Sequence, residues 1–166
     1  LLPAQVKIKD PDQAGIGEIL VKGPMVFQGY DGLEEENKRS FTEGWFHTGD
    51  LGYFDDEQFL YVVDRRTNSI ISGGENIYPT EIEEHLLEYD CIREAAVVGK
   101  QDARWGKVPV AFIVADHFID DDQLLSFLNK RLASYKVPRE IFKVDQLPRN
   151  ASNKVMRHRL VELLHS

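Results

Sequence analysis

Hydrophobic and polar positions alternate with a period of two in the first part of the chain. Residues 6–9 follow this alternation closely and residues 18–22 follow it more loosely, with turn-forming residues between them. Residues 34–41 are mostly charged and predict a short helix, and the apolar run at residues 59–63 follows an acidic turn. The pattern predicts a meander of antiparallel strands interrupted by one short helix.

The pattern changes at the polar run from Asp64 to Ser69, after which helical and strand-like segments alternate. Pro79 suits the first turn of a helix because its missing N–H needs no partner there. The spacing of Ile82, Leu86 and Tyr89 predicts that one face of this helix points inward. The following elements are predicted in order: buried strands at 95–98 and 108–114, a helix after Asp120 with Leu124, Leu125, Leu128 and Leu132 inward, a short strand at 141–144, and a last helix with Met156, Leu160, Leu163 and Leu164 inward.

This change of pattern divides the chain into residues 1–64, a connection at 65–68, and residues 69–166. The first part, of about 64 residues, is β-rich and too small to bury much surface alone. The second part has about 100 residues, mixes helices with strands, and is large enough to fold by itself. The predicted fold class is α+β.

Composition narrows the class of protein. Hydrophobic residues make up 42% and charged residues 29% of the chain, which favours a packed core over disorder. The formal net charge of −8 argues against a general nucleic-acid binder. No apolar run approaches the about 18–20 residues of a transmembrane helix, so no membrane span is expected. The single cysteine, Cys91, reads as a small apolar residue before a strand and is compatible with a cytoplasmic protein.

The beginning of the chain, Leu1 to Ala4, has neither the basic region nor the long apolar region of a secretory signal. The chain also begins without Met. We therefore expect it to be a fragment of a longer protein.

Three short segments carry residues with chemical potential. Asp50 follows Thr48-Gly49, and a carboxylate on a flexible turn can accept two hydrogen bonds from a ribose diol; it can equally cap the turn. Gly73 and Gly74 permit close approach of a ligand to the backbone, or simply form a tight turn. Lys154 ends a polar loop and supplies a cation for a charged transition state, unless it is an ordinary surface lysine.

Other kinds of site find no support in the sequence. The five histidines are scattered without metal-ligand spacing, and neither a phosphate-binding Walker loop nor a nucleophile elbow occurs. The acidic residues of the first long helix are interpreted as a solvated helix face: Glu81, Glu83, Glu84 and Glu88.

Taken in order, three segments resemble the adenylate-forming superfamily, which includes acyl-CoA synthetases, aryl-CoA ligases, luciferases and peptide-synthetase adenylation domains. Gly44-Trp45-Phe46-His47-Thr48-Gly49-Asp50 is similar to the ribose-binding motif of that family. The run from Asp64 to Glu83 resembles its hinge and Gly-containing loop, and Leu147 to Lys154 resembles its final motif. The resemblance covers essentially the whole chain.

The resemblance implies a β-rich end of the large AMP-binding domain followed by a small α/β C-terminal lid domain. It implies that Asp50 binds the ribose hydroxyls of ATP, that Arg65 lies near the ribose and phosphate, and that Lys154 is catalytic. Thr67 occupies the hinge position, where relatives usually carry Asp or Lys. Gly73 and Gly74 would shape the channel for CoA.

The resemblance also implies a reaction with a small-molecule carboxylic acid, ATP and CoA. The phosphate loop, the Mg²⁺ ligand and the acid pocket of the family would lie in a missing N-terminal domain of the same chain. No metal ligand is therefore expected in this chain, and we expect the fragment alone to be inactive.

The final motif is most similar to the o-succinylbenzoate–CoA ligase subfamily of menaquinone biosynthesis, because it carries Asn153 where most relatives carry Gly. The alternatives are another aryl- or fatty-acid CoA ligase, a peptide-synthetase adenylation domain, or a non-catalytic nucleotide- or partner-binding module. Trp105-Gly106 resembles a family turn near the CoA side, or it is a Trp packed beside a strand.

Overall fold

A computed structural model describes residues 4–165. The chain divides into two compact units, Leu1–Thr67 (unit 1) and Asn68–Ser166 (unit 2). The division falls inside the predicted connection at 65–68. Two ends of the predicted domains, residues 1–3 and residue 166, lie outside the described residues, and so does most of the segment considered for a secretory signal.

Unit 1 is an antiparallel sheet with one short helix. Its elements are β1 Gln5–Lys9, β2 Gly17–Lys22, α1 Glu34–Ser40, β3 Phe41–Thr42, β4 Trp45–Phe54 and β5 Leu60–Arg65. The strand order is β1-β2-β4-β3, and β5 also pairs with the long strand β4. The antiparallel arrangement and the short helix follow the hydrophobic pattern of the sequence.

The core of unit 1 is small. Among its described residues, the buried hydrophobic side chains are Ile19, Leu20 and Leu51. Much of the apolar run before and within β5 remains exposed, with Phe59 at 61% and Val62 at 64% of full exposure. Unit 1 therefore buries little apolar surface within itself, as its length of about 64 residues suggested.

Unit 2 combines a second five-stranded sheet with three helices. Its elements are β6 Ile70–Ser72, β7 Glu75–Ile77, α2 Pro79–Leu87, β8 Ile92–Asp102, β9 Gly106–Ala115, α3 Asp121–Asn129, β10 Glu140–Lys143 and α4 Arg157–Leu163. The strand order is β10-β9-β6-β7, and β8 also pairs with β9 along most of its length. Only β9 and β10 pair in parallel among these strands, and α3 lies in the connection between them.

Helices cover both faces of this sheet because buried residues alternate along its central strands. Val97 and Ile113 belong to a core that also includes residues of α2 and α3. Val98 and Phe112 point to the opposite face, where they pack with Leu160 of α4. The mixed fold predicted from the sequence is confirmed, with an antiparallel sheet in unit 1 and a mostly antiparallel sheet in unit 2.

Five predicted helix positions need correction, and two of them, Met156 and Leu164, are the residues that flank α4. α2 ends at Leu87, so Tyr89 lies beyond it, although its ring still packs against the core. Leu132 lies beyond the end of α3 and is buried there. Leu163 of α4 is 55% exposed, because a helix of seven residues presents only Leu160 fully to the sheet. Helical spacing alone does not mark where a helix stops.

None of the helices between residues 4 and 165 has the length and hydropathy that crossing a bilayer requires.

Candidate functional site

Asp50 lies on a bulge of β4. Three residues, Thr48 to Asp50, lie opposite Ile19 alone on β2. Gly49 takes the left-handed conformation that the bulge requires (φ 72°), and the Thr48 hydroxyl donates to the Ile19 carbonyl at 2.8 Å. The Asp50 N–H in turn donates to the Thr48 hydroxyl oxygen at 3.0 Å. The predicted flexible turn is therefore a fixed bulge inside a continuous strand, and bulges commonly serve to re-aim a side chain.

Arg65 contacts the Asp50 carboxylate directly. The two residues are cross-strand partners on β4 and β5, and Arg65 Nε lies 2.7 Å from Asp50 Oδ1. Arg65 Nη1 also donates to the Thr48 carbonyl at 3.3 Å. The Asp50 side chain is 31% exposed, and a carboxylate offers more acceptor positions than one guanidinium nitrogen uses. The structure thus places two predicted nucleotide ligands side by side with acceptor capacity left for a diol.

A buried glutamate with two basic partners lies beside this pair and was not predicted from the sequence. Glu18 on β2 is 8% exposed, and its Oε2 lies 3.0 Å from His47 Nδ1 and 3.3 Å from Arg66 Nη1. The Arg66 N–H also donates to the Gly49 carbonyl at 2.8 Å. The available signal was a glutamate inside a strand whose neighbours Ile19 and Leu20 are apolar. Arg66 is therefore held within unit 1 through its own main-chain N–H and its own side chain.

Thr67 follows this anchor directly. It is exposed, lies in a turn after β5, and is the last residue of unit 1. Because Arg66 is held from two sides, a rotation of the backbone would begin after Arg66. The hinge role of Thr67 stays a prediction.

Gly73 and Gly74 form the two-residue turn that joins β6 to β7. Both have positive φ angles, 59° and 93°, as the common two-residue hairpin turn requires. The Gly73 N–H donates to the Trp105 carbonyl at 2.9 Å, and a Cβ on Gly73 would lie 2.7 Å from the Trp105 ring. Gly73 is therefore needed for its backbone and for the close approach of Trp105. Trp105 packs against Gly73 but remains 38% exposed, so its position near the CoA side stays a prediction.

The loop that carries Trp105 is held by Asp102. Its carboxylate accepts from the N–H groups of Trp105 at 2.8 Å and Arg104 at 2.9 Å. These two hydrogen bonds, that of Trp105 first, hold the pKa of Asp102 below its ordinary value. The Arg104 guanidinium also lies 4.7 Å from the centre of the Trp105 ring. The loop beside Gly73 is thus ordered by local contacts.

Lys154 lies in a short loop whose two sides pair through Arg149 and Val155. The Asn150 carboxamide oxygen accepts from the N–H groups of Ser152 at 3.0 Å and Lys154 at 2.9 Å, which closes the loop. Lys154 is exposed, and its side chain has no hydrogen bond or ion pair within residues 4–165. A rigid loop therefore presents an unengaged cation.

Asn153, the residue before Lys154, has a φ of 62°. This is the left-handed region, which Gly adopts freely and Asn tolerates better than most residues. The geometry explains why Asn can stand where the resemblance leads one to expect Gly.

The interpretation of the α2 glutamates as a solvated face is wrong for Glu83. Its Oε1 accepts from the Val97 N–H at 2.6 Å, and its Oε2 accepts from Arg157 Nη2 at 3.0 Å. Arg157 also donates to the Val97 carbonyl at 3.0 Å, and the Glu83 side chain is only 14% exposed. Glu81 is likewise engaged, with its carboxylate 2.7 Å from Lys136 Nζ. The partners, Arg157 and Lys136, lie far from α2 in the sequence, so the spacing of the glutamates could not indicate these contacts.

The predicted site residues thus fall into separate groups. Unit 1 holds Asp50 and Arg65 in contact, unit 2 holds the Gly73-Gly74 turn and the Lys154 loop, and Thr67 stands at the boundary. Among the residues that the structure describes, no three His, Cys, Asp or Glu side chains are grouped so that they could hold a metal ion.

These features define the class of protein. Residues 81–154 match the family described as the AMP-binding enzyme C-terminal domain. The segment covers most of unit 2, including Glu83 and Lys154. The chain belongs to the adenylate-forming enzymes and corresponds to their C-terminal portion.

The chain is also similar to individual enzymes of this class. The chain is 60% identical over 144 residues to the 2-succinylbenzoate–CoA ligase of Bacillus licheniformis, a match that covers 87% of this chain and 30% of the relative. It is 48% identical, with a TM-score of 0.88, to o-succinylbenzoate CoA synthetase from Bacillus subtilis in complex with the acyl-adenylate intermediate, over 96% of this chain and 34% of that one. A second structure of that synthetase, in complex with ATP and magnesium ion, gives a TM-score of 0.87 at 47% identity with the same coverage. The chain spans about a third of the length of the relatives it matches.

Proposed function

We propose that the chain is the C-terminal part of an ATP-dependent carboxylic acid–CoA ligase that acts on 2-succinylbenzoate. The observation that carries this proposal is the 60% identity to a 2-succinylbenzoate–CoA ligase over 87% of the chain. The reaction has two steps. The carboxylate of the acid attacks the α-phosphate of ATP and releases pyrophosphate, and the CoA thiolate then displaces AMP from the acyl adenylate.

Asp50 and Arg65 serve the nucleotide in this proposal. The Asp50 carboxylate accepts hydrogen bonds from the ribose hydroxyls, while Arg65 fixes its orientation through the 2.7 Å ion pair. Arg65 also places positive charge near the ribose and the phosphate. The rigid bulge supports this role, because a bound diol requires both carboxylate oxygens at a defined position.

Lys154 serves the first step. Its ammonium group bridges the carboxylate of the acid and the α-phosphate, and it neutralises negative charge as it builds in the transition state. The absence of a competing partner for Lys154 within residues 4–165 supports this role, because the cation is not committed elsewhere in unit 2.

The second step uses the other side of unit 2. Rotation of the lid at Thr67 withdraws Lys154 and brings the Gly73-Gly74 turn to the channel for the CoA pantetheine. One site then hosts two reactions without holding all groups at once. The anchoring of Arg66 in unit 1 supports a pivot that begins at Thr67.

The substrates and cofactors of the complete ligase are the acid, ATP, CoA and Mg²⁺, with the metal ligand and the acid pocket in the N-terminal domain of the longer protein. We place the protein in the cytoplasm and its product in menaquinone biosynthesis. The alternative is another aryl- or fatty-acid CoA ligase, which differs in the acid pocket.

The test uses the full-length protein and a panel of acids that includes 2-succinylbenzoate, with pyrophosphate release as the readout. We expect 2-succinylbenzoate to give the highest kcat/KM, and a preference for another acid would contradict the substrate assignment. Lys154→Ala should slow adenylation by about 100- to 1000-fold. Thioester formation from preformed adenylate should change little, and Lys130→Ala, which removes another exposed lysine of unit 2, should affect neither step.

A further inference from the structure

We propose that Arg149 is a positioning residue that orients Lys154 for the adenylation step. This inference rests on the proposed function, since it concerns the residue assigned to the first half-reaction. Arg149 would act through the backbone of the Lys154 loop and would touch neither substrate.

Arg149 is the one described side chain that ties the tip of this loop to the sheet. Its Nη2 forms an ion pair with the Glu94 carboxylate on β8. Its Nη1 donates to the Asn153 carbonyl at 2.7 Å. That carbonyl belongs to the peptide bond leading into Lys154. One guanidinium therefore joins a strand of the central sheet to the peptide that sets the direction of the Lys154 Cα–Cβ bond.

The tip requires such a restraint because of its backbone. Asn153 has a φ of 62°, a conformation that costs a non-glycine residue free energy relative to the extended region. Asn150 holds the N–H groups of Ser152 and Lys154, but it leaves the Asn153 carbonyl to Arg149. The Asn153 carbonyl and the Lys154 N–H are the two ends of one planar peptide unit, so Arg149 holds its carbonyl end and Asn150 its N–H end. Without Arg149, only the N–H end keeps its hydrogen bond and the tilt of the peptide is less restrained.

The base of the loop is held independently of Arg149 side-chain contacts. The Met156 N–H donates to the Pro148 carbonyl at 2.8 Å, and Arg157 binds Glu83 and the Val97 carbonyl. These contacts fix where the loop leaves the sheet and where α4 begins. Removal of the Arg149 side chain should therefore loosen the tip of the loop and leave its base and the fold of unit 2 in place.

The Arg149–Glu94 ion pair is less exposed than the neighbouring ion pair of β8. The Arg149 and Glu94 side chains are 36% and 35% exposed. The neighbouring pair on the same strand, Arg93 with Asp116, is 59% and 49% exposed and lies away from the loop. Arg93→Ala is thus a matched control, since it removes an arginine ion pair from β8 without touching Lys154.

The experiment measures both half-reactions of the full-length protein by single-turnover kinetics. Arg149→Ala should lower the adenylation rate about 10- to 100-fold, as expected when a reacting group is misplaced by about 1 Å. Thioester formation from preformed adenylate should stay within about twofold of the unsubstituted protein, because Lys154 is withdrawn in that step. Arg93→Ala should leave both rates unchanged.

Two conservative variants refine the test. Arg149→Lys keeps a positive charge for Glu94. A single ammonium nitrogen cannot replace the two guanidinium nitrogens that contact Glu94 and the Asn153 carbonyl separately. This variant should recover only part of the adenylation rate. Glu94→Gln keeps an acceptor for Arg149 and removes the charge, so it serves if Arg149→Ala fails to fold, and it should also slow adenylation selectively.

Amide hydrogen exchange gives a readout that does not depend on activity. In Arg149→Ala, the amides of residues 150–154 should exchange faster than in the unsubstituted protein, while those of β8 and β9 keep their protection. Unchanged exchange in the loop, or an equal loss in both half-reactions, would overturn the positioning role. If Lys154→Ala itself leaves adenylation intact, the proposed function fails at Lys154, and that result is distinguishable from failure at Arg149 alone.

Discussion

The two units of this chain differ in how completely each buries its own apolar residues. Unit 1 encloses three buried hydrophobic residues among those described, Ile19, Leu20 and Leu51, and leaves Phe59 and Val62 exposed. Unit 2 has an apolar cluster on each face of its sheet, covered by helices. The difference indicates that unit 2 is a self-sufficient folding domain, whereas unit 1 needs further contacts to complete its core.

The largest expected effect comes from separating the units. A fragment of residues 68–166 should unfold cooperatively in urea, because both of its cores are closed. A fragment of residues 1–67 should show no cooperative transition, because so little apolar surface is buried. Far-ultraviolet circular dichroism during urea titration measures both. A cooperative transition in the fragment of residues 1–67 would show that unit 1 also folds by itself.

Single core substitutions should sharpen the same contrast. Leu128→Ala removes a side chain with no exposed surface from unit 2 and should lower the free energy of unfolding by about 2–5 kcal/mol. Val62→Ala in unit 1 should change it by less than about 0.5 kcal/mol, since that side chain is 64% exposed. Urea denaturation of the whole chain, followed at two wavelengths, compares the two. Equal losses would show that exposed fraction does not separate the units.

Each unit also contains a largely buried glutamate that forms an ion pair with an arginine. Arg157→Ala removes the cation paired with Glu83 and a donor to the Val97 carbonyl, while Glu83 keeps its hydrogen bond from the Val97 N–H. It should destabilise unit 2 by about 2 kcal/mol, less than the about 3–5 kcal/mol of a fully buried pair. Arg66→Ala should cost about 1 kcal/mol or less, because its side chain is 67% exposed and His47 still contacts Glu18. The free energies of unfolding of the two variants give the comparison. A larger loss for Arg66→Ala would reverse the ranking.

The smallest effect concerns pH and a single loop of unit 2. The pKa of Asp102 is lowered in the folded state by the N–H groups of Trp105 and Arg104. A lowered pKa contributes stability that is present above the unfolded-state pKa and is lost as the pH falls through the folded-state value. Asp102→Asn should therefore reduce the acid dependence of unfolding while leaving stability at neutral pH slightly lower. Matching acid profiles for both proteins would contradict this assignment.

The sequence predicts element types better than element ends or distant partners. Pro79 and the spacing of Ile82 and Leu86 correctly predict α2, but they cannot show that it stops at Leu87. Gly-rich composition conceals β4, because the glycines serve a bulge within the strand rather than a turn. Local patterns carry local information, and the end of a short helix depends on what it packs against.

The candidate site shows the same limit. The order of the motifs predicts Asp50, Arg65, Gly73, Gly74 and Lys154 as site residues, and the structure shows Asp50 and Arg65 in contact. Their roles stay predictions. The supporting contacts, Glu83 with Arg157 and Glu94 with Arg149, join residues more than fifty positions apart. No periodicity or spacing within either segment indicates such pairs. They become visible only when the strands have been assembled.

The hairpin of β8 and β9 has a consequence for the order of folding. Its two long strands are joined by only three residues and pair from Asp102 and Gly106 outward, with one register shift between Ile92 and Glu94, so the pairing can begin at a short loop and extend from there. Local contacts form early because they close short loops. The Lys154 loop and α4 must instead find Glu94 and Val97 on a strand already in place. We therefore expect the hairpin to form the folding nucleus of unit 2, and the segment that carries Lys154 to dock last.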